Sequence, residues 1–384
     1  MGRSGKFLRH LKGYKAFSPA PLPPANPPLL QDEELTQLLA QANLAIGRLS
    51  GLSAIIPDPD LFVYLYVRKE ALLSSQIEGT QCSLEDVLNP DVEPISDSLH
   101  HDLAEVSNYV KAMNAGLKRL EKLPIGTRLI KEMHAILMKR VRESNKTPGE
   151  FRRSQNWIGR PDATLATAEF VPPPPEDVDP LMSDLEKFIH QDDRTPVLIK
   201  AALIHAQFET IHPFLDGNGR LGRLLITYLL CYWKVLDKPL LYISYHFKAN
   251  RTEYYAKLMN IRMRGEWEAW VKFFLRGVTE SAEMATQTAT EVHHLHLKDR
   301  EHIHNSKPSA SILSVYERFC REPILTNAIL VERLESTKPR VQRALDALVE
   351  MGLLHEVSGK KRGRRYAYKK YLDILTRDTT TKIG

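Results

Sequence analysis

Cysteine is scarce in this chain: Cys82, Cys231 and Cys320 are the only three in 384 residues, far apart and without a C-x-x-C pair. Neither a disulfide framework nor a cysteine zinc site is supported, and a reducing, cytoplasmic setting fits. Long apolar runs are missing as well. The longest, Leu224 to Trp233, falls short of the roughly 20 residues a bilayer-spanning helix needs, so no membrane partner is expected. Compositional bias is equally absent: 43% apolar and 26% charged residues argue against collagen, coiled coil or long disorder, and the length suits two or three domains. The first fifteen residues lack acid but carry Arg3, Lys6, Arg9, Lys12 and Lys15. No apolar segment follows, so a secretory signal is not expected, and Lys6 stands where a myristoylation motif wants Ser or Thr. A solvated, frayed terminus is the expectation.

The net charge of +6 is unevenly placed. Residues 336–384 hold twelve Lys or Arg against five Asp or Glu, which is +7 and leaves −1 for everything before them. Between Ser18 and Pro28 six of eleven residues are proline, marking an extended strap or spacer; its Pro21-x-x-Pro24 also leaves an SH3 ligand conceivable. Apolar residues then recur at three and four positions from Leu35 onward. Further helical patterns cover about 60–78, 100–121, 127–141, 177–190, 196–210, 220–234, 251–263 and 266–296. Thr127 and Asn250, the latter with Glu253 three positions on, read as helix starts. Strand signals are sparse. The best, 151–158 and 168–171, reads as an isolated hairpin.

From Lys307 three helices, opened at Ser309, Leu325 and Ser336-Thr337, are followed by two short strands around the Gly359–Gly363 turn. Arg340 and Arg343 begin the third helix, and Lys360, Lys361, Arg362, Arg364 and Arg365 fill the turn. The layout resembles a winged helix-turn-helix domain, for which DNA and a protein partner are both open. His293, His294, His296, His302 and His304 crowd a helix end without metal-ligand spacing, so a solvated face is expected. Trp267, Trp270, Phe273 and Phe274 are at core spacing.

The stretch richest in chemistry is Ile211-His212-Pro213-Phe214-Leu215-Asp216-Gly217-Asn218-Gly219-Arg220-Leu221-Gly222-Arg223. Gly217-x-Gly219-x-x-Gly222 imitates a dinucleotide fingerprint, but that motif follows a strand, and Leu198, Ala201, Ala202, His205 and Phe208 make the preceding segment a helix. Glycines between two helices instead free backbone N–H groups, at the positive end of a helix dipole, to receive an anion. Arg220 and Arg223 in the first turns can reach neighbouring phosphates. Asp216 suits a magnesium ion, and His212 can take a proton from an attacking hydroxyl.

The run resembles the Fic family motif, His-x-Phe-x-Asp/Glu-Gly-Asn-Gly-Arg-x-x-Arg, at every fixed position, and the resemblance covers about residues 30–300. It implies a mainly α fold: a Fic-type helical domain with a small β-hairpin flap, here followed by the winged helix-turn-helix domain. The divisions expected are a basic, Pro-rich segment (1–30), an N-terminal helical region with an inhibitory motif (31–125), a Fic core (126–300) and a winged helix (307–378). The resemblance further implies transfer of AMP from ATP to a Ser, Thr or Tyr hydroxyl of a target protein. His212 would be the general base and Asp216 the Mg2+ ligand. Gly217, Asn218, Gly219, Arg220, Leu221, Gly222 and Arg223 would bind ATP phosphates, Tyr254, Tyr255 and Arg262 would line the nucleotide, and Gln155, Asn156, Trp157, Ile158 and Gly159 would form the flap that docks the target by strand addition.

Ser74-x-x-x-Glu78-Gly79 fits the family's inhibitory pattern, in which Glu78 would pair with Arg223 and occupy the group meant for the γ-phosphate. Self-modification and a homodimer are further partner expectations. The rival reading is a nucleotide-sensing, DNA-binding transcriptional regulator.

Overall fold

The computed structural model describes residues 2–10, 13–55, 59–88, 96–139, 146–160, 162–306, 309–360, 363–377 and 379. Lys12, Lys361 and Arg362 lie outside them. The N-terminus is not frayed. Strands β1 (Gly5–Arg9) and β2 (Lys15–Pro19) pair antiparallel, with Phe7 opposite Phe17. Phe17 is buried against Phe170, ring centroids 5.6 Å apart, and the Arg3 guanidinium forks onto the Glu268 carboxylate at 2.6 and 2.7 Å. A bidentate pair and a buried aromatic are enough to hold a short basic hairpin that charge alone would leave in solvent. The proline strap behind it is tied by Arg3 Nη2 to the Pro28 carbonyl and by Gln207 Nε2 to the Ala20 carbonyl.

The helical body follows as α1 (Glu33–Ile55), α2 (Pro59–Ile77), α3 (Leu84–Leu88), α4 (Asp97–Leu120), α5 (Thr127–Leu137), α6 (Pro175–His190), α7 (Val197–Ile211), α8 (Asn218–Tyr232), α9 (Ser244–Ala249), α10 (Arg251–Arg264) and α11 (Trp267–Asn305). Every residue of α7 from Leu198 to Ile211 is buried, as are most of α8. A helix covered on all sides must sit at the centre. Each buried Leu or Ile there is worth about 1.5–3 kcal/mol, so the α7–α8 pair is a rigid axis for whatever its connecting loop carries. Around it α1 runs along α11, and α4 packs on both α5 and α8. Trp267, Trp270, Phe273 and Phe274 are core residues as expected.

Some boundaries differ from the sequence reading. α5 stops at Leu137, α11 continues to Asn305, and α3 and α9 were not foreseen. Thr127 lies inside α5 and Gly126 is its cap. The Thr127 N–H, at the helix start, donates to the Glu186 carboxylate at 2.8 Å, so a neighbouring helix supplies the acceptor that a local side chain would have. Asn250 likewise makes no cap bond, its amide donating back to the His246 carbonyl. The expected hairpin over 151–171 is reduced to one bridge, Ile158 with Phe170, because the adjoining backbone groups pair elsewhere: Arg152 N–H with Pro213 and Phe17 N–H with Val171.

The C-terminal residues form α12 (Ala310–Arg321), β3 (Ile324–Thr326), α13 (Asn327–Arg333), α14 (Lys338–Glu350), β4 (His355–Glu356), β5 (Arg365–Ala367) and α15 (Lys369–Thr376), with sheet order β3-β5-β4. Three helices and a two-strand turn were read from sequence; β3 and α15 were not. This module is fastened to the end of α11. Buried Asp299 accepts from the Tyr368 hydroxyl, which also meets Tyr316 at 3.1 Å, and the His296 ring lies 5.0 Å from Tyr371. His296 is therefore packing, not solvated, and burial pushes its pKa down to about 4. Among the described residues no helix is long and apolar enough to cross a membrane, and no group of three or more His, Cys, Asp or Glu could hold a metal.

Candidate functional site

α7 is capped by His212, whose φ of 51° is left-handed, and α8 begins after Gly217, whose φ is 73°. A left-handed histidine costs about 1–2 kcal/mol, so its surroundings must hold it there. They do. Buried Arg152 donates to the carbonyls of His212 (2.9 Å), Pro173 (2.6 Å) and Ile211 (3.3 Å), and Asn156 donates to those of Phe214 and His212. Asn218 closes the loop from inside, its amide donating to the Phe214 carbonyl while its oxygen accepts the Phe214 N–H. His134 stacks on Phe214 at 3.7 Å; its Nδ1 accepts from Gly149 N–H, so its Nε2–H donates to the Asp216 carbonyl.

The His212 imidazole is neither sealed nor open: its side chain is 19% exposed. Burial, with the positive charges of Arg262 and Arg152, drives its pKa down to about 3. The ring is a neutral base at any physiological pH. Asp216 is half-exposed, one oxygen accepting the Gly217 N–H at 2.6 Å and the other 3.4 Å from Lys146.

Arg223 is fully buried, and its hydrogen bonds go to Ser74 and Glu78. Nε donates to Ser74 Oγ at 2.8 Å, and Nη2 donates to the Ser74 carbonyl at 2.9 Å and to Glu78 Oε1 at 2.6 Å. Nη1 is buried without a partner. The Glu78 carboxylate lies over the start of α8, so close that a methyl group at Gly219 would come within 2.3 Å of it. The first N–H groups of a helix have no intrahelical partners and carry the positive end of its dipole. A carboxylate of this chain thus lies against Gly219 at the start of α8, paired with Arg223.

Several sequence-named residues do something different from what was expected. Arg220 turns away from Arg223 and meets Glu105 at 3.2 Å, because α4 presents a carboxylate to it. Leu221 is core. Gly222 is a packing glycine: a methyl there would meet Glu209 Oε1 at 2.4 Å, and its carbonyl accepts from His205 Nδ1. Tyr254 is buried, donating its hydroxyl to His205 Nε2 at 2.9 Å, so it backs the site and does not line it. Tyr255, 39% exposed and 5.1 Å from Tyr254, is the available ring. Arg262 is buried under Phe170 and donates to the Glu209 carbonyl. In the flap, Gln155 and Asn156 are spent on backbone carbonyls, which leaves Trp157, Ile158 and Gly159 at the surface edge. Arg152, His134 and Glu209 were missed by the sequence reading; nothing local distinguishes an Arg before a loop, a His on an apolar face or a Glu inside a helix.

The arrangement is that of a helical protein with a glycine-bounded helix start, a neutral imidazole on the loop before it and a glutamate paired with the arginine of its first turns. Residues 36–118 match the Fic/DOC family N-terminal region and 124–230 the Fic/DOC family domain. The chain therefore carries both the N-terminal and the core Fic/DOC domains. It is similar to the protein adenylyltransferase Fic of Drosophila ananassae, 35% identical over 134 residues (34% of this chain, 24% of that protein), and of Drosophila virilis, 36% over 134 residues (34% and 25%). The chain spans about a quarter of the length of these curated relatives. Its fold resembles a Fic family protein from Desulfovibrio desulfuricans G20 (TM-score 0.56, 20% identity, 89% of this chain and 98% of that one). It also resembles a Fic domain containing signaling protein from Bacteroides thetaiotaomicron VPI-5482 (0.51, 16%, 67% and 97%).

Proposed function

We propose that the chain is a protein adenylyltransferase held inactive by Glu78. The single observation that carries this reading is the pair of neighbours at one loop: a neutral, partly open His212, and a helix start whose anion seat holds the Glu78 carboxylate against Arg223. In the reaction, a hydroxyl oxygen of a target protein forms the bond to the α-phosphorus of ATP, the bond from that phosphorus to pyrophosphate breaks, and the hydroxyl proton passes to His212 Nε2. Gly219 and its neighbours present N–H groups to the phosphates, and Arg223 awaits the outermost one once Glu78 leaves.

Asp216 is the residue that would hold Mg2+: one half-exposed carboxylate fits an ion that takes its other ligands from water and substrate phosphates. When bound, that ion would neutralise phosphate charge. Tyr255 and the Trp157–Gly159 edge would receive the nucleotide and the target segment. The three free cysteines suit a reducing, cytoplasmic location. The domain divisions drawn from sequence are kept in this reading, with α11 bridging core and winged helix.

The test uses the intact chain carrying Glu78→Gly, incubated with lysate proteins and ATP labelled at the α- or the γ-phosphate. Label from the α position alone should become acid-stable on protein, on targets and on the chain itself. Incorporation from the γ position would mean phosphoryl transfer and overturn the reading.

A second reading, a DNA-binding regulator, rests on the C-terminal module: Lys338, Arg340 and Arg343 of α14 and Lys360 and Arg364 of the turn are exposed on it. Gel shifts with duplex DNA should show binding that weakens with salt. Replacing Arg340 and Arg343 with Ala should flatten the log–log salt slope by about 2 if each meets one phosphate. A slope unchanged by the double replacement removes DNA from the partners of this face.

A further inference from the structure

Glu209 is a buried carboxylate that the reaction above does not use. It lies in the last turn of α7, three residues before the left-handed cap His212. Its Oε2 lies 3.9 Å from His212 Nδ1, with only 8% of the Glu209 side chain exposed. Two polar atoms here are buried without a well-formed hydrogen bond, His212 Nδ1 and Glu209 Oε1, the nearest backbone acceptor to the ring being the Glu209 carbonyl, which already receives Arg262. Leaving either unpaired costs about 1–3 kcal/mol, so a sequence under ordinary constraints would not keep both. The carboxyl lies over Gly222, where a methyl group would come within 2.4 Å of Glu209 Oε1 and have to displace it.

We infer that Glu209 is the positioning residue of His212, closing onto Nδ1 and so fixing which ring nitrogen holds the proton. This rests on His212 being the base. As a carboxylate, Glu209 accepts from Nδ1–H, which leaves the Nε2 lone pair facing the hydroxyl and steadies the imidazolium formed when the proton arrives. As a carboxylic acid, it donates to Nδ1 instead, which places the other proton on Nε2 and leaves no base. The direction of the bond is therefore set by the protonation of Glu209.

Burial raises the Glu209 pKa to about 7, opposed by Arg223 of α8 and Arg262 of α10 and assisted by Glu78 at the end of α2; the Tyr254 hydroxyl of α10 also faces it and is neutral at this pH. Around His212 the charges are Arg262, Arg152 and Asp216. The sign follows: the productive tautomer is held above about pH 7 and lost as pH falls through it.

The experiment is nitrogen NMR of the full chain labelled at histidine, with the His212 ring signals assigned by their loss in His212→Gln. In the wild type the two ring nitrogens should exchange protonated and unprotonated character with a midpoint near pH 7, and in Glu209→Gln that inflection should vanish. Glu209→Asp, which keeps the charge but shortens the reach, should retain a weaker one. In the Glu78→Gly background Glu209→Gln should lower kcat for AMP transfer about tenfold, leave KM for ATP unchanged and remove the limb near neutral pH. Ring signals flat across neutral pH in the wild type, or an inflection that survives in Glu209→Gln, would overturn the pairing. Absence of AMP transfer with the inflection present and Glu209-dependent would overturn the adenylyltransferase reading and leave the pairing standing.

Discussion

Replacing His212 with Ala is expected to lower AMP transfer by about 10²–10⁴-fold, the usual contribution of a positioned general base. The loss should fall on kcat. The imidazole is not among the groups that would meet ATP phosphates, which are the N–H groups at the start of α8 and the Arg223 guanidinium, so nucleotide affinity measured by calorimetry in the Glu78→Gly background should change little. Alanine brings a second effect that must be separated, because position 212 has a φ of 51° and a β-carbon there costs about 1–2 kcal/mol without the ring's contacts. Asparagine tolerates that conformation better, so His212→Asn should match His212→Ala in activity while melting at a higher temperature. Equal labelling of protein by either variant and by the parent would show that the imidazole takes no proton.

How much of this was visible before coordinates depends on the range of each interaction. The loop from His212 to Arg223 was legible because its meaning is local: glycines that free N–H groups, an αL position, a helix that starts at once. The Ser74–Glu78 segment was legible only through the family resemblance, and the structure puts both residues on Arg223. What failed was direction across distance. Arg220 and Arg223 are three residues apart and look equivalent, yet Glu105 draws one to α4 and Ser74 with Glu78 draws the other to α2. Tyr254 and Tyr255 are adjacent, and only the His205 ring decides which is sunk in the core. The flap reads as two strands by composition, but Arg152, Gln155 and Asn156 pin the surrounding carbonyls and leave one bridge. The N-terminal hairpin failed oppositely. Five cations in fifteen residues suggested solvent, whereas Arg3 with Glu268 and Phe17 with Phe170 anchor it beside that flap.

Replacing Glu78 with Gly should have the opposite effect to His212→Ala, raising transfer about 10- to 100-fold, which corresponds to about 1.4–2.7 kcal/mol of lifted inhibition. The size is bounded by the pair itself. Arg223 is completely buried, but the Glu78 side chain is 37% exposed, so solvent screens part of their attraction and the net bond is about 1 kcal/mol, well short of a sealed ion pair. To this is added the carboxylate's hold on the start of α8, worth about 0.3–1 kcal/mol, and the direct collision any phosphate would meet beside Gly219. Removing Glu78 leaves Arg223 Nη2 with the Ser74 carbonyl alone and its buried charge without a counter-ion, so the resting variant should melt lower than the parent. ATP with Mg2+ should then restore more stability to the variant than to the parent, because it supplies the missing anion and binds only the folded state. That differential thermal shift separates a clamp from a merely structural glutamate, which would lower the melting temperature without sensitising it to nucleotide. Adding Arg223→Ala to the activated variant should abolish both the gain in labelling and the extra shift. A double variant as active as Glu78→Gly alone would mean that the outer phosphate is held elsewhere, and that Glu78 acts on something other than the seat at the start of α8.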